Sequence, residues 1–317
     1  PTVTSIYQDE FGIIWIGTKD GLNRYNGTDF YVFRPVKGDK NSLYNNNIGT
    51  ICGDKQGHIY IRCKYAVVEY DIKKNTFHTI RDNDIQAITY DNARLWVCTR
   101  DSLFTYNRVE DRLDYYYNLE GVRMSCVTED SAGNLYVGTM NNGLYMIDHN
   151  KKWLNYFPKK DITCIYEDSK KSIWVGTKDD GLFRLDRNGG ITNYGTAPHQ
   201  NMLSSSYVRC VVEDNLGNYW IGTFKGLDKL DVTTGTFTHY SKDNKPYSLS
   251  NSSIICMMKD RQGTFWIGTY YGGVNLFNPD YEIYTYYYPD ESQKGKLTSP
   301  FAGRMTEDSN GGIWIAT

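Results

Sequence analysis

The sequence predicts an all-β fold: a β-propeller built from four-stranded antiparallel blades. Three observations carry this. The phrase "GIIWIGTKDGLNRYNG" from Gly12 returns as "SIWVGTKDDGLFRLD", "NYWIGTFKGLDKLD" and "TFWIGTYYGGVNLF". The anchor aromatics of these copies are Trp15, Tyr60, Trp96, Tyr136, Trp174, Trp220, Trp266 and Trp314, about 43 residues apart, which suits four short strands and their turns. Between turns, apolar and polar residues alternate with period two, and Tyr (28) and Gly (29) are abundant, as pleated strands and tight turns require.

Each copy reads in the same order. An apolar inner strand ends in Asp, as in "VTSIYQD" and "ITCIYED". A D-x-x-G turn follows at Asp9–Gly12, Asp54–Gly57, Asp130–Gly133, Asp214–Gly217, Asp260–Gly263 and Asp308–Gly311. Asp bonds its own turn backbone and Gly takes positive φ, which makes a hairpin turn. The second strand, "IIWIGT", leads to Gly-Leu at Gly21-Leu22, Gly143-Leu144, Gly181-Leu182 and Gly226-Leu227. The third strand reads "LNRY" or "LFRL". The fourth, such as "TFTHY" or "DFYVF", is polar and aromatic, as an outer edge should be. A helical repeat of this length would need apolar residues three and four apart, and the chain lacks that spacing.

Seven complete units are expected from about residue 2 to about 288, and residues 301–317 begin a further repeat. The expectation is one propeller domain of seven blades, the alternative being eight. With no initiator Met and an end inside its own motif, the chain reads as a segment of a longer protein. Net charge is −2, so composition points to no nucleic-acid partner.

Seven Cys cannot all pair with one another. Cys126, Cys164, Cys210 and Cys256 each lie four residues before an Asp, in the slot held by Ser5, Thr50 and Ala87 in the other copies. A slot that accepts Ser, Thr, Ala and Cys asks for a small side chain, so these are expected to be buried free thiols.

The copies "YQDEFGIIWIGTKDGLNRYNG", "YEDSKKSIWVGTKDDGLFRLD", "VEDNLGNYWIGTFKGLDKLD" and "MKDRQGTFWIGTYYGGVNLFN" resemble the two-component regulator propeller repeat. Copies two and three depart from it: "DKQGHIYIRCKYAVVEY" lacks Gly-Leu and "DNARLWVCTRDSLFTY" has a shortened turn. The resemblance implies the periplasmic sensor region of a hybrid two-component histidine kinase of an inner membrane, from a polysaccharide-degrading gut bacterium. It further implies oligosaccharide or polysaccharide fragments as ligands. A second propeller and a β-sandwich domain of the same chain, and a homodimer of the full-length protein, are its implied partners. The kinase lies outside this segment.

The residues themselves predict no enzyme. There is no G-x-S-x-G, P-loop or H-E-x-x-H, and His58, His78, His149, His199 and His239 are not spaced as metal ligands. No cofactor and no metal are expected. The recurring aspartates are turn residues; two residues separate Asp9 from Gly12, where a sialidase-type Asp box has one. A lyase or hydrolase on the same scaffold is the alternative, and a propeller serving only protein–protein assembly is another.

One repeat position stands out as a binding candidate. The residue four after each anchor is Lys19, Lys64, Arg100, Met140, Lys178, Phe224 and Tyr270; the next is Asp20, Tyr65, Asp101, Asn141, Asp179, Lys225 and Tyr271. Loops between second and third strands share one face of a propeller, so the first set should ring the mouth of the axis. Cations hold carboxylates or sulfates, and aromatic faces stack on sugar rings. The candidate ligand contacts are Lys19, Lys64, Arg100, Lys178, Phe224, Tyr270 and Tyr271; the competing reading is a solvated turn. Tyr115 to Tyr117 and Tyr284 to Tyr288 are expected on outer strands.

Overall fold

The computed structural model describes residues 1–195, 201–244, 248–279, 304–309 and 313–316. Residues 1–277 form one compact unit. Its blades span 3–33, 48–81, 87–118, 124–156, 162–194 and 208–240, each a sheet of four consecutive antiparallel strands, and 254–277, with three described strands. The ring thus has seven blades, not eight. The expected fourth strand of blade 7, with Tyr284 to Tyr288, lies outside the described residues, as does His199. Residues 278–317 form a second unit, in which Met305–Glu307 pairs with Ile313–Ile315 and the Trp314 indole donates to Asp308 Oδ2 (2.9 Å).

The core is a set of wedges between neighbouring blades. Trp15, Leu22 and Phe33 of blade 1 pack on Ile48, Ile51 and Tyr70 of blade 2. The ring closes in the same way: Val3, Ile6, Ile14 and Ile16 of blade 1 pack on Trp266 of blade 7. No strand is exchanged between blades among the described residues. Closure is reinforced by Arg261 of blade 7, whose guanidinium donates to the carbonyls of Asp9 (2.7 Å) and Glu10 (2.9 Å).

Two devices of the repeat explain why these residues make blades. The turn Asp is the hub of a buried network. Asp9 Oδ1 accepts from the backbone N–H of Phe11 (3.0 Å) and Ile13 (2.9 Å), and its Oδ2 accepts from the Trp15 indole (2.8 Å). The same indole-to-carboxylate bond recurs as Trp174–Asp168, Trp220–Asp214 and Trp266–Asp260. A buried indole N–H needs an acceptor, and the turn Asp supplies it. Gly12 completes the turn at φ +85°.

The second device is the Gly of W-I-G-T, where blades approach most closely. A Cβ on Gly138 would run into Cys126 Sγ of its own blade and lie 2.7 Å from Ile162 Cγ2 of the next. Gly176, Gly222 and Gly268 meet Cys164, Cys210 and Cys256 in the same way. This is why the slot opposite is small. The seven thiols are free. Cys63 and Cys98 are buried, whereas the four slot cysteines are half-buried rather than fully enclosed. Burial pushes the thiol of Cys126 up to about 11 and that of Cys256 up to about 12.

Candidate ligand-binding face

The residue after each W-I-G-T phrase lies beside the start of the inner strand of its own blade. The backbone N–H of Lys64, Met140, Lys178, Phe224 and Tyr270 donates to the carbonyls of Asn47, Arg123, Asp161, Tyr207 and Ser253. These ladders hold the second-to-third-strand loops against the inter-blade loops on one face. Lys19, Lys64, Arg100, Met140, Lys178, Phe224 and Tyr270 are all exposed.

The side chains are not an even ring. On blades 2 and 5 they are spent locally. Lys64 Nζ lies over the ring of its neighbour Tyr65 (5.6 Å). Lys178 Nζ is 3.8 Å from Asp161. Asp84 accepts the Arg100 backbone N–H (3.3 Å).

Around blades 6, 7 and 1 the candidates converge on one another. Phe224, 51% exposed, stacks near-parallel with Tyr207 at 6.2 Å. The Arg209 guanidinium lies over both rings, 4.5 Å from Tyr207 and 5.1 Å from Phe224. Its Nη1 is held by Ser253 Oγ (2.9 Å) and the Ile254 carbonyl (3.0 Å) of the next blade. Tyr270 and Tyr271 meet edge to face at 4.3 Å, and Lys19 Nζ of blade 1 sits 5.9 Å over Tyr270. An arginine between aromatic faces is both a cation and a flat stacking platform.

Tyr271 adds a further sign. It is 70% exposed and held at φ +60°, the left-handed region that a bulky side chain rarely enters. Blade 4 places Asn141 at the same position with φ +63°, a residue that tolerates it. Strain of this kind concentrates where function demands the side chain.

The sequence reading missed Arg209 and Tyr207, because it followed only the loop column. The column just before the small slot reads Thr4, Gly49, Gln86, Ser125, Thr163, Arg209 and Ile255. An arginine there is conspicuous once the copies are aligned on the inner strand.

Residues 1–20, 156–179, 202–225 and 248–271 match the model of the two component regulator propeller family. The chain is similar over its whole length to the extracellular domain assigned to a hybrid two component system of B. thetaiotaomicron, at 26% identity and a TM-score of 0.79, covering 45% of that chain. It also superposes on the extracellular domain of a one component system from the same organism, at 19% identity and a TM-score of 0.72, covering all of this chain and 50% of that one. Virginiamycin B lyase from Staphylococcus aureus shares the fold at 12% identity and a TM-score of 0.69, with 87% of this chain and 94% of the lyase covered. The chain spans about half the length of the first two structures. No curated protein matches it.

Proposed function

We propose that this propeller, built from two component regulator propeller repeats, is a non-catalytic module of a periplasmic sensor region. In this reading it binds a glycan fragment on the face where its second-to-third-strand loops open. Other domains of a longer protein then relay the signal to a kinase. The observation that carries the reading is the aromatic and cationic cluster of blades 6, 7 and 1. Phe224 and Tyr270 present exposed faces for apolar sugar surfaces, and Arg209 and Lys19 beside them suit acidic substituents. Lys64 and Lys178, tied to neighbours, and Arg100, outside the cluster, are peripheral in this reading.

The strained Tyr271 gives a test that separates binding from stability. Tyr271→Asn should raise the melting temperature, because Asn accepts positive φ, while weakening oligosaccharide binding. Phe224→Ala should weaken binding several-fold with little change in stability, since its ring is exposed. Calorimetric titration with acidic and neutral oligosaccharides reads both. If binding is unchanged in both variants, the ligand face lies elsewhere in the protein.

A further inference from the structure

The anchor aromatic of an intact blade is clamped from two sides. In blades 5 and 6 its indole lies between the aromatic that ends its own fourth strand and the residue just before the next anchor. Trp174 is 5.4 Å from Tyr194 and 4.2 Å from Tyr219, and Trp220 is 5.6 Å from both Tyr240 and Phe265. Blade 4 keeps the clamp and lacks the indole. Tyr156 and Ile173 stand at the two clamp positions, but the anchor is Tyr136, whose ring is smaller. There the gap between blades 4 and 5 holds a pocket of about 330 Å³, walled by Tyr136, Met146, Tyr156, Ile173 and Leu185. Small-ligand pockets span about 300–1,000 Å³.

Blade 2 also has a Tyr anchor, but there blade 3 fills the gap. Tyr90 stacks on Tyr60 at 5.8 Å, Tyr106 meets it edge to face at 6.3 Å, and Arg108 grips Glu69, the cross-strand partner of Tyr60. Blade 5 has Glu167 where blade 3 has Tyr90, and the Ser131 N–H (3.0 Å) and hydroxyl (2.7 Å) hold it. It has Leu185 where blade 3 has Tyr106. The cross-strand partner of Tyr136 is Met146, so Arg187, in the place of Arg108, has no carboxylate there to grip. The neighbour thus supplies no ring, and the space stays open.

The pocket has a polar end. Asp130, 6% exposed, lines it, and its Oδ2 accepts from Asn134 Nδ2 (2.9 Å). In blade 6 the same oxygen of Asp214 accepts from Asn218 Nδ2 (3.2 Å) and from the Trp220 indole (3.1 Å) together. A carboxylate in this turn can therefore hold an aromatic N–H beside the amide. Around the pocket Asp130, Glu167 and Asp186 outnumber Lys171 and Arg187, which disfavours an anionic ring.

We propose that this pocket binds a neutral aromatic ring of indole size that carries an N–H donor. The ring stacks on Tyr156 against Ile173 and Leu185, meets the adaptable thioether of Met146, and donates to Asp130 Oδ2. Its source is a free heterocycle or the tryptophan side chain of a polypeptide. The turns that rim the pocket join first to second and third to fourth strands, at the end of the blades opposite the aromatic cluster. The site therefore does not rest on the glycan reading.

The experiment is calorimetric titration of the chain with indole, 1-methylindole and indole-3-acetate. Indole should bind saturably, and 1-methylindole, which lacks the N–H, about ten-fold more weakly. Indole-3-acetate should also bind more weakly than indole. Tyr136→Trp supplies the missing ring from within, so it should raise the melting temperature and abolish indole binding. Tyr156→Ala removes a stacking face from a half-buried position on an outer strand and should weaken binding several-fold; it tests the site even if the Trp variant does not fold. No saturable indole binding, equal or tighter binding of either analogue, or an affinity unchanged in folded Tyr136→Trp or Tyr156→Ala overturns the proposal. N-acetyl-tryptophanamide distinguishes the source. Tighter binding than indole identifies a tryptophan side chain as the occupant, and binding no tighter than indole identifies a free heterocycle.

Discussion

In blade 5, Asp168 is 2% exposed and accepts three buried bonds, from the Ser172 N–H (2.7 Å), the Trp174 indole (2.9 Å) and the Tyr219 hydroxyl (2.7 Å). In blade 3 the corresponding Asp91 has lost its indole, and its Oδ2 accepts from Thr89 and from Thr128 and the Glu129 N–H of blade 4. The Trp96 indole has turned outward across the blade gap to Glu129 Oε2 (2.7 Å), joined there by Arg94. Spacing is the cause. The anchor aromatic lies six positions after the Asp in the other blades, and Trp96 lies five positions after Asp91. The shorter turn pairs Asp91 with Arg94 and Trp96 with Thr89 in the ladder, so Asp91 stays in the strand instead of becoming the hub of a D-x-x-G turn.

Blades 2 and 4 depart differently, because Tyr60 and Tyr136 have no indole to offer. His58 Nδ1 takes the free oxygen of Asp54 (2.5 Å), and Asn134 Nδ2 that of Asp130 (2.9 Å). Across the gap between blades 2 and 3, Arg108 grips Glu69 with two bonds (2.9 and 3.0 Å) and His78 meets Asp111 (2.9 Å). Where the motif is intact, the turn Asp takes the indole of its own blade, with neighbour contacts added to it, as Tyr219 of blade 6 is to Asp168; where it decays, links to the neighbour stand in for the indole bond. Buried donors must find acceptors, so the partner changes but the satisfaction does not.

The largest expected effect breaks the intact side of this contrast. Asp168→Ala orphans three buried donors and should cost about 3 kcal/mol or more in chemical denaturation. Asp54→Ala should cost clearly less, since Tyr60 does not depend on it and His58 can be hydrated. Equal losses would mean that the Asp–Trp bond is not what fastens the intact blades.

The close approach at W-I-G-T gives the next effect. Gly138→Ala should destabilise by about 1–3 kcal/mol through overpacking against Cys126 and Ile162. Blade 3 shows the remedy in place, with Cys98 at the Gly position opposite Ala87. Adding Cys126→Ala should therefore recover part of the loss, and strict additivity in the double-mutant cycle would reject this account of the slot.

The same particulars explain what could be read beforehand. Blade order, turns and the small slot are local patterns of period two, so alignment of the copies exposed them. The turn role of Asp9 was legible because Asp and Gly act within four residues; the indole bond was not, because it depends on which face Trp15 presents. The loop column placed Phe224, Tyr270 and Lys19 on one face. Their convergence on blades 6, 7 and 1, and the part played by Arg209, depend on a residue from another column. The local engagement of Lys64 and Lys178 depends on neighbours chosen by folding.

A smaller effect probes the replacement links. Glu129→Gln retains an acceptor for Trp96 but loses the charge that draws Arg94, whose side chain is 49% exposed. A loss of about 1 kcal/mol is expected at low salt, shrinking as salt rises. A loss independent of salt would assign the role of Glu129 to the indole bond alone.

The smallest expected effect is a gain, and it lies in the most altered blade. The shortened turn "DNAR" puts Asn92 at φ +46° and Ala93 at φ +61°, the two left-handed residues of a type I′ hairpin. Asn suits its position; Ala does not, because its Cβ crowds the backbone in that region. Glycine relieves this strain but gives the unfolded chain more freedom, which offsets about 0.4–1 kcal/mol of the benefit. Ala93→Gly should therefore stabilise by at most about 1 kcal/mol, read as a modest rise in melting temperature. Lys171 is a parallel case in an intact blade: it sits at φ +66° where five other blades of the ring carry the Gly of D-x-x-G, and Lys171→Gly should give a similar gain. If both substitutions stabilise alike, the turns are equivalent hairpins and the contrast between blades resides in their side-chain partners. If Ala93→Gly destabilises, the shortened turn of blade 3 is held in its conformation by Asn92, whose side-chain amide donates to the Asp130 carbonyl of blade 4 (2.9 Å), and the fastening of that blade to its neighbour begins at the turn itself.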